Sequence, residues 1–425
     1  MRGWFAAVLA VVALAGGAAG AQPARAPVEI SISCGALGVE LQLCTDAVHR
    51  WEKKTGNRVR IVSTPNSSTD RLALYLQMLA SRTDEFDVLQ IDVVWAGILA
   101  DHLIDLRPYL GDAPKAHFAS LIRNDTVNGR LVAMPWWTDV GVLYYRKDLL
   151  AEYGFAPPQT WQEMTRIARA IQAAERAKGH TRMWGYVFQG RAYEGLTCNA
   201  LEWIDSFNGG AIVDAKGDIT VDNPRAIEAL SLAGSWVGTI SPRGVLNYDE
   251  EAARGVFQTG DAVFMRNWPY AWALAQGQDS PVRGKVGVVP LPKGGPGGKH
   301  AGTLGGWHLA VSRYSKHPAE AASLVAFLTS APEQKIRAVK AAYNPTIPAL
   351  YGDPDVLAAN PFFGALLPSL ESATARPSRV AGPHYNRLSS DFWRAVHDVL
   401  TGDPAGPRVA ELNSDLDRLK YRARW

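Results

Sequence analysis

The chain has 425 residues, enough for two ordinary domains or one large two-lobed unit. Hydrophobic residues make up 47% and charged residues 20%, the balance of an ordinary globular protein, and a formal net charge of +3 without a Lys/Arg run argues against nucleic acid as partner. The surplus lies in the aromatics, with 14 Trp beside 14 Tyr and 12 Phe, which can fill a core or present flat apolar faces to a ligand.

The first 26 residues read as a secretory signal segment: Arg2, an apolar stretch from Trp4 to Ala15, then small residues with Ala19-Gly20-Ala21 as cleavage site and Ala24-Arg25-Ala26 as a second option. No cysteine lies at its end, so no lipid anchor is expected and the mature protein is expected in the periplasm. No later segment is apolar enough to span a membrane. An oxidising compartment favours one disulfide among Cys34, Cys44 and Cys198. The local pair Cys34–Cys44 is expected to carry it; the alternative is three buried thiols. The cysteine spacing fits no zinc motif, and neither metal nor cofactor is expected.

Residues 28–33 predict a first strand, and 39–56 a helix that stops at Gly56. Residues 58–64 predict a second strand, 69–82 a second helix, and 86–92 a buried third strand. Strand–helix alternation of this kind builds a parallel α/β sheet. The pattern then recurs. Strands are expected in AMPWW and VGVLYYR, then a helix over 160–179 with Thr160 and Glu163 as its capping box. Further strands are expected in MWGYVFQG, DAVFMRN, KVGVVPLP and HLAVSRYS, interleaved with helices, and the chain from Asp391 onward is mostly helical. PKGGPGGKHAGTLGG reads as a flexible loop. The expected fold is α/β, two lobes with a ligand cleft between them.

Ligands in open α/β sheets sit beyond the carboxyl ends of the strands. In this chain those positions hold Glu40, then STPNSSTD with Ser68, then Asp92 and Trp95, then Trp136, Trp137 and Asp139. Later strand ends offer Arg191, Tyr193 and Glu194, then Asn267, Trp268 and Tyr270, then Gly305, Gly306 and Trp307. Carboxylates accept from paired hydroxyls, and rings stack on the C–H face of a pyranose, so the mixture suits a sugar. Each residue alone has a plainer reading, Trp95 as core, Asp92 as a cap and Glu40 as a first-turn charge. The weight comes from distant loops carrying the same chemistry at one level of the fold. Strand alternation puts Trp137 and Asp139 on one face and Trp136 on the other, in the core.

The segments MPWWTDVGVLYYRKDLL, FQTGDAVFMRNWPYAWAL, VGVVPLPKG and TLGGWHLAVSRYSKHPAEAASLVAFLTS resemble extracellular solute-binding proteins of ABC sugar importers, the maltose-binding type. CGALGVELQLC, STPNSSTDRLALY, QIDVVW and YNPTIPALYGDP are similar to the trehalose/maltose-binding branch. The resemblance covers nearly the whole mature chain. It implies a periplasmic-binding-protein fold with three crossovers, near Val140, Gly284 and Ser330, giving one lobe of 27–140 and 284–330 and a second of 141–283 and 331–425. It implies a ligand set of Glu40, Ser68, Asp92, Trp137, Asp139, Tyr193, Glu194, Trp268, Tyr270, Gly306 and Trp307, with Arg379 in ARPSRV as the cationic contact and Trp393 as a further aromatic candidate. The implied partners are a disaccharide, trehalose or maltose first, and the membrane permease of an ABC transporter; a monomer is expected. The rival reading is a glycoside hydrolase using paired carboxylates such as Asp92 and Asp139. Another solute is the third: sucrose, a polyol or a glycerophosphodiester, the last resting on Arg191 and Arg379. No G-x-S-x-G, H-E-x-x-H or Walker A motif is present.

Overall fold

The computed structural model describes residues 26–35, 37–423 and 425, so the expected signal segment, apart from its last residue Ala26, lies outside the described residues. Its strands in chain order are β1 (Glu29–Cys34), β2 (Arg58–Ser63), β3 (Val88–Asp92), β4 (Thr126–Val127), β5 (Arg130–Leu131), β6 (Met134–Val140), β7 (Val142–Arg146), β8 (Trp184–Val187), β9 (Ala262–Asn267), β10 (Val286–Pro290) and β11 (Leu304–Val311). One sheet has the order β2-β1-β3-β11-β6 and a second the order β10-β7-β9-β8. In the first, β1 runs parallel to β2 and β3, whereas β11 is antiparallel to β3 and β6. Each sheet is covered by helices, giving two α/β lobes. No described helix is long and apolar enough to cross a membrane.

Local signals explain the elements. The helix Trp161–Ala177 starts on the expected capping box, the Glu163 N–H donating to the Thr160 hydroxyl while the Glu163 carboxylate accepts from the Thr160 N–H. β3 and β6 are buried along their whole length, as strands covered on both faces must be. Asn128 and Gly129, both at positive φ, turn β4 into β5, an Asn-Gly hairpin signal absent from the sequence reading. Much of the aromatic surplus is core. Trp161, Trp203, Trp236, Tyr186 and Phe188 pack against one another in the second lobe, mostly edge-to-face or tilted, with Tyr186 stacked on Phe188.

The chain passes between lobes at Gly141, which separates β6 in the first sheet from β7 in the second. A Cβ at Gly141 would run into the Glu202 carboxylate and the Arg266 guanidinium, which form a fully buried ion pair (Nε–Oε2 2.8 Å). The crossover expected at Gly284 falls elsewhere. β10 follows Gly284 and pairs with β7, so the chain stays in the second sheet until it crosses within 291–303. Gly284 is instead a left-handed turn residue leading into the strand. Ser330 leads into the helix Ala331–Ala341, whose Glu333 pairs with Arg50 and whose Ala338 carbonyl accepts from Asn360.

Candidate functional site

The carboxyl ends of β1, β3 and β6 face residues of the second lobe across a cleft. It is lined by Glu40, Asn66, Ser68, Asp92, Trp137 and Asp139 on one side and Glu194, Glu250, Trp268, Tyr270 and Arg376 on the other, with Gly305, Gly306, Trp307 and Tyr343 between. The space between these walls is about 620 Å³ when counted out to its open mouth, solvent included.

Each wall has a local cause. Cys34 at the end of β1 is bonded to Cys44 inside the helix Glu40–Thr55, closing the short loop that carries Leu37 and Glu40. The Gly35 N–H donates to the Gln90 side chain (2.6 Å), and the Gln90 amide donates to Glu40. Ser68 opens the helix Ser68–Ala80, capped by Ser67. Gly306 has φ +125°, and a Cβ there would lie 2.5 Å from the Trp137 carbonyl oxygen, so only glycine lets β11 lie this close to β6.

Trp137 and Asp139 both reach the cleft, two residues apart on one strand face. Trp136 is buried, but strict alternation does not describe it. Trp307 pairs with Trp137 and His308 with Pro135, so Trp136 is the extra residue of a bulge. A bulge re-aims its side chain, and the two indoles lie against each other with centroids 4.8 Å apart.

Asp139 is 7% exposed, and its Oδ1 has no hydrogen-bond partner among the described residues. Burial pushes its carboxyl well above the ordinary range, against the opposing pull of Trp137, Arg266 and Arg337. Glu250 is raised by burial as well; it accepts from the Tyr193 hydroxyl (2.7 Å) and the Trp268 indole N–H (3.3 Å). Glu194 is also raised by burial, with Arg376 pulling the other way. Its carboxylate accepts from Arg376 (2.7 Å), Ser389 (2.6 Å) and Tyr385. Arg376 also donates to Asp92 across the cleft (2.7 Å), and its guanidinium is held firmly protonated by these acids. With Thr69 accepting from the Glu194 N–H (3.2 Å) and Asp70 near Arg191 (3.6 Å), these bonds hold the lobes together.

Ten of the expected ligand residues line this one cleft: Glu40, Ser68, Asp92, Trp137, Asp139, Glu194, Trp268, Tyr270, Gly306 and Trp307. Tyr193 stands behind the wall and orients Glu250. Arg379 is a correction. It lies in a separate groove with Val93, Gly97 and Pro383, and the cation in the cleft is Arg376, three residues earlier and ahead of the short helix Ser378–Ala381 that carries Arg379. Trp393 and Trp95 do not line the cleft, Trp95 packing edge-on against Trp307. Asn66, Glu250 and Tyr343 were not picked out by sequence reasoning. Glu250 had a faint signal, Asp249-Glu250-Glu251 at a helix start, where carboxylates are usually caps.

Residues 41–335 match the family described as bacterial extracellular solute-binding protein. The chain is 52% identical over 416 residues to a probable ABC transporter-binding protein of Deinococcus radiodurans, covering 97% of this chain and 98% of that one. It is 26% identical to the maltodextrin-binding protein MdxE of Bacillus subtilis over about half of each, 51% and 49%. Among solved structures, maltose-bound MalE3 of T. maritima superposes with a TM-score of 0.87 at 39% identity, over 92% of this chain and 100% of that one. These relatives are substrate-binding proteins, not enzymes, which removes the hydrolase reading. With a family match over more than half its length and an end-to-end relative at 52% identity, the chain belongs to the bacterial extracellular solute-binding proteins.

Proposed function

We propose that the protein is the periplasmic receptor of an ABC sugar importer, closing its lobes on a disaccharide, maltose or trehalose first, and delivering it to the membrane permease. The observation that carries this reading is Asp139, a residue of the cleft wall whose buried Oδ1 has no partner among the described residues, set beside rings suited to stacking. A buried polar atom left unpaired costs about 1–3 kcal/mol, a cost a sugar hydroxyl relieves. Glu40, Asp92 and Glu250 supply further acceptors, Arg376 and Ser68 supply donors, and Trp137, Trp268, Tyr270, Trp307 and Tyr343 supply faces for the C–H edges. The maltose-bound relative at 39% identity supports the ligand class. Closure excludes water and adds contacts from both lobes, which is how a ligand selects the closed state. Intrinsic tryptophan fluorescence of the mature protein, titrated with maltose, trehalose, sucrose, mannitol and glycerophosphodiesters, tests the proposal. A saturable change with maltose or trehalose and recovery of the intact sugar supports it; a response confined to another solute replaces the disaccharide.

A further inference from the structure

Four rings that line the cleft are each covered from behind by an arginine. The Arg71 guanidinium carbon lies 4.2 Å from the centre of the Trp307 ring, that of Arg266 3.9 Å from Trp268, and that of Arg337 4.3 Å from Trp137 and 4.6 Å from Tyr343. The three cations come from unrelated places, the helix Ser68–Ala80, β9 and the helix Ala331–Ala341. All are buried, at 0%, 0% and 3% exposure. Arg266 is neutralised by Glu202. Arg71 and Arg337 are not matched in this way. Both terminal nitrogens of Arg71, and all three guanidinium nitrogens of Arg337, lack a hydrogen-bond partner among the described residues.

Aromatic rings beside carboxylates ordinarily make a cage for cations. In this cleft the π faces are already engaged from behind, and a second cation in front would meet the same ring through a positive charge. The five acids that line the cleft are compensated too. Glu40 accepts from the Gln90 amide and lies within the field of Arg337. Asp92 and Glu194 share Arg376. Asp139 and Glu250 sit in surroundings whose burial disfavours their ionised forms.

We infer that the arginines behind the cleft rings act as a charge filter: the cleft takes uncharged polyhydroxy solutes and rejects cationic ones, amino sugars and quaternary ammonium compounds, despite its rings and carboxylates. This deepens the sugar reading and rests on it. The test is calorimetry of the full mature chain with maltose, trehalose and mannitol, with glucosamine-containing disaccharides of the same size, and with choline and glycine betaine. The wild-type protein is expected to bind a neutral member at least tenfold more tightly than its amino counterpart and to give no heat with the quaternary ammonium probes. Arg71→Met and Arg337→Met, each checked for a native circular dichroism spectrum and melting transition, are expected to narrow that gap. Arg337→Lys, which keeps the charge, is expected to preserve it even if affinity for both sugars falls. Equal or tighter binding of an amino sugar or of choline by the wild type overturns the filter, as does an unchanged gap in both folded methionine variants. Binding of mannitol alone removes the disaccharide reading and leaves the filter standing; silence from every probe removes both.

Discussion

Asp139 is where stability and binding pull apart. Its Oδ1 is buried without a partner among the described residues, so the folded protein carries a cost that, on the proposed function, a ligand hydroxyl removes. Asp139→Asn, which puts an amide donor where a carboxyl oxygen stands, is expected to weaken disaccharide binding by about tenfold, the worth of one hydrogen bond, while leaving stability equal or higher. The pH dependence gives a second check. A carboxyl raised on folding binds its proton more tightly in the native state, so its contribution to stability is fully present below the unfolded value near 3.8 and falls away as pH rises towards the folded value. Denaturation in guanidinium across pH should therefore show Asp139→Asn gaining on the wild type as pH rises above about 4. A constant difference would contradict the burial account. At Gly306 the argument is steric: Gly306→Ala, at φ +125° and against the Trp137 carbonyl, should lower stability by more than about 1 kcal/mol in the same assay.

At the scale of elements, the disulfide joins the end of β1 to the helix that begins at Glu40. Replacing both Cys34 and Cys44 by Ser should cost about 2–3 kcal/mol from chain entropy and also weaken sugar binding, because Leu37 and Glu40 lie in the loop it closes. Thermal unfolding together with a sugar titration reads both effects. Elements were also what the sequence showed best. Alternation locates β1, a continuous apolar run locates β3 and a 3.6-residue pattern locates the helix Trp161–Ala177, because the burial of each is written in its own residues. Features decided between strands were hidden. The bulge at Trp136 depends on how β11 pairs with β6. Gly284 looks the same in sequence whether it starts a strand or ends a lobe, and only the pairing of β10 with β7 decides. Arg376 and Arg379 sit in one short stretch, and which of them enters the cleft depends on how that stretch coils past Asp92. The arginines behind the rings are farther from reach, since each ring and its cation belong to different segments.

For the whole molecule, Arg376 is the link that matters, because it joins Asp92 of one lobe to Glu194 of the other. Arg376→Met leaves two buried carboxylates without their counter-charge, which costs about 3–5 kcal/mol if the lobes stay shut and much less if opening hydrates them. The variant is therefore expected to open: small-angle scattering should show a larger radius of gyration than the wild type without ligand, and sugar should restore less of the compact form. The most direct test of the account is calorimetric titration of the wild type and Asp139→Asn, side by side, with maltose and trehalose, followed by analysis of the recovered sugar. The account predicts saturable one-to-one binding by the wild type, about tenfold weaker binding by the variant, and intact disaccharide from both. Equal affinity in the two proteins, or no heat with either sugar, would contradict it.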